Sequence, residues 1–302
     1  MKKVNFVSMT KKSFCNWTPK MPKHKVVIDK TSYRAPHQVW NLKDAEKVEI
    51  THRPPLTGRD NLAYYMMRGL RYSFDFFTKY QPGKMNENLY LRRCIFLETV
   101  AGVPGMIGGM VRHMASLRTL REDGGWIHHL LEEAENERMH LLTFLKIRQP
   151  NFLERICIAF AQFIFVIYYS LLYLTSYKMA HRFVGYLEEE AVKTYTNLIK
   201  EIDEGRLPEW SNLPASPEAI RYWVLPEDAK IRDVFIAIRA DEVAHREFNH
   251  RFADINKFDR MSQHQYYIKD GKFIIWDESE QSNISEQSEE KNLKKSSTEI
   301  KH

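Results

Sequence analysis

The sequence predicts an all-α protein. Three observations carry this: long stretches with apolar residues at helical spacing, Pro and Gly at the breaks between them, and strand-like alternation in one short segment only. The first run, NLAYYMMRGLRYSFDFFTKY, begins after Asp60, whose carboxylate suits an N-cap. The second, ENLYLRRCIFLETVAGVPGMIGGMVRHMASLRTL, follows the break at Pro82 and Gly83, and Pro104 is expected to kink it without ending it. The third, GWIHHLLEEAENERMHLLTFLKI, opens at Gly124 and Gly125 and stops before Pro150. A fourth covers 152–177, a fifth 179 to about 204 and a sixth about 227 to 255, with a break from Pro208 to Pro217 between the last two. Beyond them YYIKDGKFIIW, residues 266–276, reads as a hairpin turning at Asp270 and Gly271.

At 302 residues and 43% hydrophobic, the chain is long enough for one sizeable core. Residues 1–58 are polar and contain Pro19, Pro22, Pro36, Pro54 and Pro55, so they read as an extended arm; residues 277–302 have almost no apolar content and read as a disordered tail. That leaves 59–276 for the helical domain. Cys15, Cys94 and Cys157 are odd in number and form no CxxC, which argues against a disulfide framework or a thiolate metal site. The net charge of +6 is uneven, because the first 28 residues hold seven lysines and no acid. Such a start fits an organelle-targeting segment or a basic arm, and the lack of an apolar h-region argues against secretion. The basic balance is compatible with anionic lipid. No zinc knuckle or basic recognition helix occurs, so no nucleic-acid partner is expected.

Two segments carry Glu-x-x-His: Glu137 and His140 in ENERMH, Glu242 and His245 in ADEVAH. Residues three apart share a helix face, so each pair aims a carboxylate and an imidazole at one point. One such pair arises easily by chance on a surface. Two pairs, each preceded by a helix with a glutamate in apolar surroundings, are far more specific. Those glutamates are Glu98 in CIFLETVAGVPGM and one of three in LEEEAV. The order Glu, Glu-x-x-His, Glu, Glu-x-x-His matches the ligand pattern of ferritin-like di-iron bundles, so the expected cofactor is two iron ions and the expected fold a ferritin-like four-helix bundle. Four carboxylates neutralise and bridge two irons, while the imidazoles complete each one and leave positions open for oxygen. The absence of HExxH disfavours a zinc protease. For Glu98 the alternative is a buried ion pair with Arg93; left unpaired it would cost several kcal/mol, which a metal removes. Glu132, Glu133 and Glu135 are expected to be solvated or paired with other helices. His128 and His129 with Glu132 form a rival site, ranked lower because the second half holds no counterpart.

Helical geometry separates the three glutamates of HRFVGYLEEEAVKTY. Two turns either way, Glu188 aligns with His181 and Tyr195, on a face filled by Val184, Gly185, Ala191 and Val192. Glu189 shares its side with Arg182 and Lys193, which reads as a solvated salt-bridge face. Glu190 lies with Phe183, Leu187 and Thr194, a setting for a buried polar contact or an interface. Glu188 is therefore the expected ligand.

The 22 uncharged residues from Ile156 to Tyr177 would make a helix of about 33 Å, long enough to span a bilayer. A plain crossing is not expected, because Glu98, Glu137 and His140 precede this segment while Glu188, Glu242 and His245 follow it, and all must meet. The segment is expected to lie in the interface or on the bundle. The first long helix, with Leu62, Tyr65, Met66, Leu70, Phe74 and Phe77 beside Arg68, Arg71 and Lys79, would complete a monotopic membrane face.

Through LETVAGVPGM, LEEAENERMHL, HRFVGYLEEEAVKTY and RADEVAHR, in that order, residues 60–255 resemble the alternative oxidases, the cyanide-insensitive quinol oxidases of mitochondria. The resemblance implies a homodimer on the matrix face of the inner membrane that oxidises ubiquinol and reduces O2 to water without pumping protons. It implies Glu98, Glu137, His140, Glu188, Glu242 and His245 as iron ligands and Tyr195 as a redox-active phenol, able to supply one electron to the cleavage of O2. It places the quinol head group and its surroundings at Arg71, Asp75, Arg93, Leu97, His181, Glu190, Ala191 and Thr194, and has Asn136 and Asp241 hold the ligands. From the residues alone, Tyr195 also reads as a core tyrosine with a bonded hydroxyl, and Arg71 with Asp75 as an ordinary helical ion pair. The lysine-rich arm departs from the family pattern, and Cys15 has no context that marks it as a regulatory thiol. The rivals are another di-iron enzyme, such as a quinone-ring hydroxylase or a plastid quinol oxidase, and a non-catalytic membrane anchor.

Overall fold

The computed structural model describes residues 37–81, 83–261 and 266–275; the expectations for the lysine-rich start, Cys15 and the tail fall outside them. The described chain forms α1 (Leu42–Ala45), α2 (Gly58–Thr78), α3 (Glu87–Thr119), α4 (Trp126–Ile147), α5 (Phe152–Thr175), α6 (Tyr177–Asp203), α7 (Pro217–Trp223) and α8 (Ile231–Asp254), then strands β1 (Tyr266–Lys269) and β2 (Lys272–Ile275). The class is all-α, and the six long runs correspond to α2 through α6 and α8. Pro104 lies inside α3, which continues past it. The hairpin turns at Asp270 (φ 49°) and Gly271 (φ 77°), the left-handed pair that a two-residue turn requires.

The N-cap of α2 differs from expectation. Thr57 is the cap: its hydroxyl accepts from the Asp60 amide (3.1 Å), and the Asp60 carboxylate accepts from the Thr57 amide (3.1 Å), a reciprocal capping box. Two short helices add to the predicted runs. Of these, α7 starts where Ser216 caps the Ala219 amide and Pro217 occupies the first turn.

Helices α3, α4, α6 and α8 make the four-helix bundle. Across the short turn at Gly124 and Gly125, α3 packs along α4; across the longer connection that carries α7, α6 packs along α8; and α4 meets α8. Gly105 lets the first pair approach, since a Cβ there would stand 2.4 Å from the Leu130 carbonyl oxygen. Outside the four, α2 lies on α6, and α5 lies on α3 and α6. The larger core joins Leu130, Met139 and Phe144 to Leu198, Phe235 and Ile238, and a smaller one joins Met67 of α2 to Tyr169 and Tyr173 of α5 and Phe183 of α6. Burying each such side chain contributes about 1.5–3 kcal/mol. Trp40, Ala45 and Val48 also belong to the larger core, so the packed structure begins ahead of residue 58.

Candidate metal centre

Each bundle helix delivers one glutamate to the middle of the bundle: Glu98 from α3, Glu137 from α4, Glu188 from α6 and Glu242 from α8. One turn further on, α4 adds His140 and α8 adds His245. All six are buried. Their ligand atoms converge as two groups, Glu98 with Glu137, His140 and Glu242, and Glu137 with Glu188, Glu242 and His245, each within 4.8 Å. Glu137 and Glu242 belong to both groups, so the arrangement offers two adjoining candidate cation sites that share two carboxylates. His140 Nδ1 stands 3.4 Å from oxygens of Glu98, Glu137 and Glu242, and His245 Nδ1 stands 2.8 Å from Glu137 Oε1.

The chemistry of this centre fits a metal pair. Glu98 Oε2, both Glu137 oxygens, Glu242 Oε2 and both Nδ1 atoms are sealed from solvent without a hydrogen bond. Each orphaned group costs about 1–3 kcal/mol, and bound cations remove that cost. Four carboxylates carry the charge that two divalent cations balance, and oxygen with imidazole nitrogen is a donor set iron accepts. Burial, with the Glu137 and Glu242 charges adding to it, pushes Glu98 up to about 8 and Glu188 well above the carboxylate range. Four ionised glutamates are therefore unfavourable here until positive charge arrives.

Asp241 anchors the first imidazole. Its Oδ2 is 3.0 Å from His140 Nε2 and accepts from Trp223 Nε1 (2.8 Å) and Asn136 Nδ2 (3.0 Å), while Oδ1 accepts from Trp40 Nε1 (2.5 Å). Burial alone would raise the Asp241 carboxyl, but the His140 contact and these donors hold it below its ordinary range. An ionised Asp241 accepts a hydrogen bond from His140 Nε2–H, which fixes the tautomer whose Nδ1 lone pair is free for a metal. Asn136 thus bonds to Asp241, and Asp241 to His140. Trp40, Tyr222 and Trp223 are additions; their signal in the sequence was only that a buried indole or phenol needs a polar partner.

Tyr195 is buried, and its hydroxyl donates to Glu98 Oε1. Burial first, then the Glu98 charge, pushes its phenol pKa well above the ordinary value. The alternative pairing of Glu98 with Arg93 does not occur. Arg93 donates instead to Asp75 (2.5 Å) and Thr78 (2.8 Å), and Arg71 donates to Asp75 (2.8 Å) and Thr194 (3.2 Å). Glu190, half-buried, lies 3.4 Å from Arg71. Arg93 also stacks over Tyr80 and Phe74, 4.1 and 4.6 Å from the ring centres. Arg71, Asp75, Arg93, Glu190 and Thr194 thus form one polar group where α2, α3 and α6 meet. Leu97 and Ala191 are half-buried on α3 and α6. His181 lies apart from this group: fully buried, it meets the Tyr173 hydroxyl at 3.1 Å and Asn249 Oδ1 at 2.9 Å.

Glu189 is not a solvated surface charge. It is buried and accepts from His250 Nε2 (2.9 Å), His52 Nδ1 (2.5 Å) and the Arg53 amide (2.9 Å). Its helical neighbour Arg182 is buried as well, with Asp60 (3.1 Å), His250 (2.9 Å) and Asp254 as partners. Helical spacing reports the neighbours within α6, and these partners come from elsewhere. In α4, Glu133 accepts from Asn249 (2.8 Å), Glu132 accepts from Tyr266 (3.0 Å), and Glu135 pairs with Arg138 (2.5 Å). His128 and His129 stand 3.7 and 4.0 Å from Glu132 but are absent from both convergent ligand groups.

Residues 40–254 match the family model described as alternative oxidase. The chain is 48% identical over 246 residues to the mitochondrial alternative oxidase of Trypanosoma brucei brucei, which spans 81% of this chain and 73% of the relative. It is 44% identical over 264 residues to the mitochondrial alternative oxidase of Emericella nidulans, spanning 83% and 74%. To the mitochondrial ubiquinol oxidase 2 of Nicotiana tabacum it is 46% identical over 219 residues, spanning 72% and 70%. With the family model covering most of its length and relatives this similar, the chain belongs to the alternative oxidase family.

Proposed function

We propose that the protein is a non-proton-pumping ubiquinol oxidase that works at a di-iron carboxylate centre. Two ubiquinols lose four electrons and four protons, and one O2 takes up both to become two waters. The observation that carries this reading is the pair of ligand groups joined through Glu137 and Glu242. Glu98, Glu137, His140, Glu188, Glu242 and His245 hold the irons, which supply oxygen binding and electron transfer when bound. Arg71, Asp75, Arg93, Glu190 and Thr194 offer donors and acceptors to a quinol head group, flanked by Leu97 and Ala191. Thr194 touches Arg71 of that group and the next residue on α6, Tyr195, touches Glu98 of the ligands, so adjoining residues of one helix reach both. When the Tyr195 phenol gives up an electron, Glu98 Oε1 is in place to take the proton. His181, buried behind Tyr173 and Asn249, belongs to the surroundings of the head group.

The same reading places the protein in mitochondria, as the names of the relatives support, and there on the matrix face of the inner membrane. The lipid-facing surface is the exposed apolar side of α2 (Tyr65, Phe76, Phe77) and α5 (Phe160, Phe163, Ile167, Leu171). A protein seated on one face takes and releases protons on that face, which leaves no vectorial step. A homodimer belongs to the reading, and Met106, Met110, Met114 and Leu117 along α3 offer an exposed apolar side for it. The test is oxygen uptake by purified protein with ubiquinol and cyanide present, with iron counted in the same sample. About two irons per chain and cyanide-resistant uptake are expected; folded protein that binds no iron, or iron-loaded protein that consumes no oxygen with ubiquinol, overturns it.

A further inference from the structure

The two imidazoles of the centre are held differently. His140 has its Nε2 on Asp241, whereas His245 Nε2 meets no hydrogen-bonding partner among the described residues. The ring of His245 instead forms part of the wall of a cavity of about 20 Å³, with Glu132, Glu133, Phe248, Trp40 and Tyr266 among the other walls. A polar cavity of that size takes one water molecule.

Of the three carboxylates on this wall, Asp241 is taken up by His140 and Glu132 is engaged with the Tyr266 hydroxyl. Glu133 is buried and uses only Oε2, which accepts from Asn249 Nδ2 at 2.8 Å. That bond ends a directional series. Asn249 Nδ2 donates to Glu133 and to the His245 carbonyl (2.9 Å), so its Oδ1 faces His181 and accepts from Nδ1. His181 Nε2 then accepts from the Tyr173 hydroxyl. Three side chains from three helices therefore fix one oxygen of Glu133 and leave Oε1 for the cavity it lines.

We propose that Glu133 is the positioning residue of His245: a single water in the cavity accepts from His245 Nε2–H and donates to Glu133 Oε1. Asp241 does the same for His140 without the water. Both imidazoles then present Nδ1 to the metal, one through a direct carboxylate and the other through a hydrated one. The inference rests on the di-iron reading, and the experiment separates the two.

Iron-free protein is titrated anaerobically with ferrous ion as wild type, Glu133→Gln and Glu132→Gln. Glutamine keeps the shape and the bond from Asn249 but carries no charge. Wild type is expected to bind two ions. In Glu133→Gln one of them weakens by about 10- to 100-fold while the other, and the melting temperature of the iron-free protein, do not move. Glu132→Gln binds both as wild type does. If wild type binds two ions and Glu133→Gln holds both as tightly, the inference falls and the di-iron reading stands; if wild type binds none, both fall. A high-resolution structure of the iron-loaded wild type tests it without any variant. A water bonded to both His245 Nε2 and Glu133 is expected, and a ring whose Nε2 points away from the cavity overturns it.

Discussion

Asp241 accepts from two indoles and an amide while it holds an imidazole, all in the dry interior of the bundle. Asp241→Asn would turn one acceptor into a donor that faces other donors. Iron affinity is expected to fall about 10- to 100-fold, read by ferrous titration, with lower stability to urea. For Tyr195→Phe the expected pattern is different: the iron count stays at the wild-type value while quinol-driven oxygen uptake drops about 100-fold, because the phenol touches a ligand without being one. His181 gives a pH dependence. Burial holds its pKa down at about 4, against about 6.5 in an unfolded chain, so the folded protein keeps it neutral. As pH falls below 6.5 the unfolded chain gains a proton that the folded one refuses, and stability drops until about pH 4, where the folded imidazole titrates too. The loss is at most about 3 kcal/mol. Urea unfolding of iron-free protein at pH 7 and pH 4.5 should show a smaller drop for His181→Gln than for wild type; an identical drop would show that His181 contributes nothing to the slope.

At the scale of elements, the close approach of α3 to α4 decides whether Glu98 and Glu137 share a site. Gly105→Ala places a methyl carbon against the Leu130 backbone oxygen, an atom that can yield only if the helices separate. A loss of about 1–3 kcal/mol is expected, together with reduced iron retention after gel filtration. The long helices were legible in the sequence because their signals are local: apolar spacing inside each run, Pro and Gly between them. Glu188 was legible for the same reason, since two-turn alignment with His181 and Tyr195 is a property of α6 alone. Glu189 was not, because its partners His52, Arg53 and His250 lie far away in the chain. Asp60 was placed on the right turn but in the wrong capping role, since a box has two members and Thr57 is the other. The helix α7 was hidden inside a proline-bearing break, although Ser216–Pro217 is itself a helix-start signature. What it supplies, Tyr222 and Trp223 against Asn136 and Asp241, depended on a tertiary contact that spacing does not encode.

At the scale of the molecule, the closed ligand cluster constrains how the proposed membrane contact would be made. Both α3 and α5 are long and apolar enough to cross one. In α3 the apolar stretch carries Glu98 and lies along α4, as a bundle helix does. In α5 only 22% of the most apolar window is buried, which leaves the outer face that the proposed lipid contact would use. Yet Glu98 and Glu137 precede α5, Glu188 and Glu242 follow it, and the four meet inside one bundle. Carrying α5 through a hydrocarbon layer about 30 Å thick would set its two ends on opposite sides and pull the ligands apart. Lying in one leaflet satisfies both the exposed face and the closed centre. Two consequences can be measured. Single cysteines introduced at Arg121 and Glu204, both exposed and on opposite sides of α5 in the chain, should react with an impermeant thiol reagent from the same side of sealed vesicles. Replacing Phe160, Phe163 and Ile167 together by serine should abolish flotation with lipid vesicles while the protein still binds its iron, because those side chains point away from the bundle. Labelling from opposite sides would mean that the chain crosses the bilayer, and a crossing chain could not keep the glutamates of α3, α4, α6 and α8 in one site.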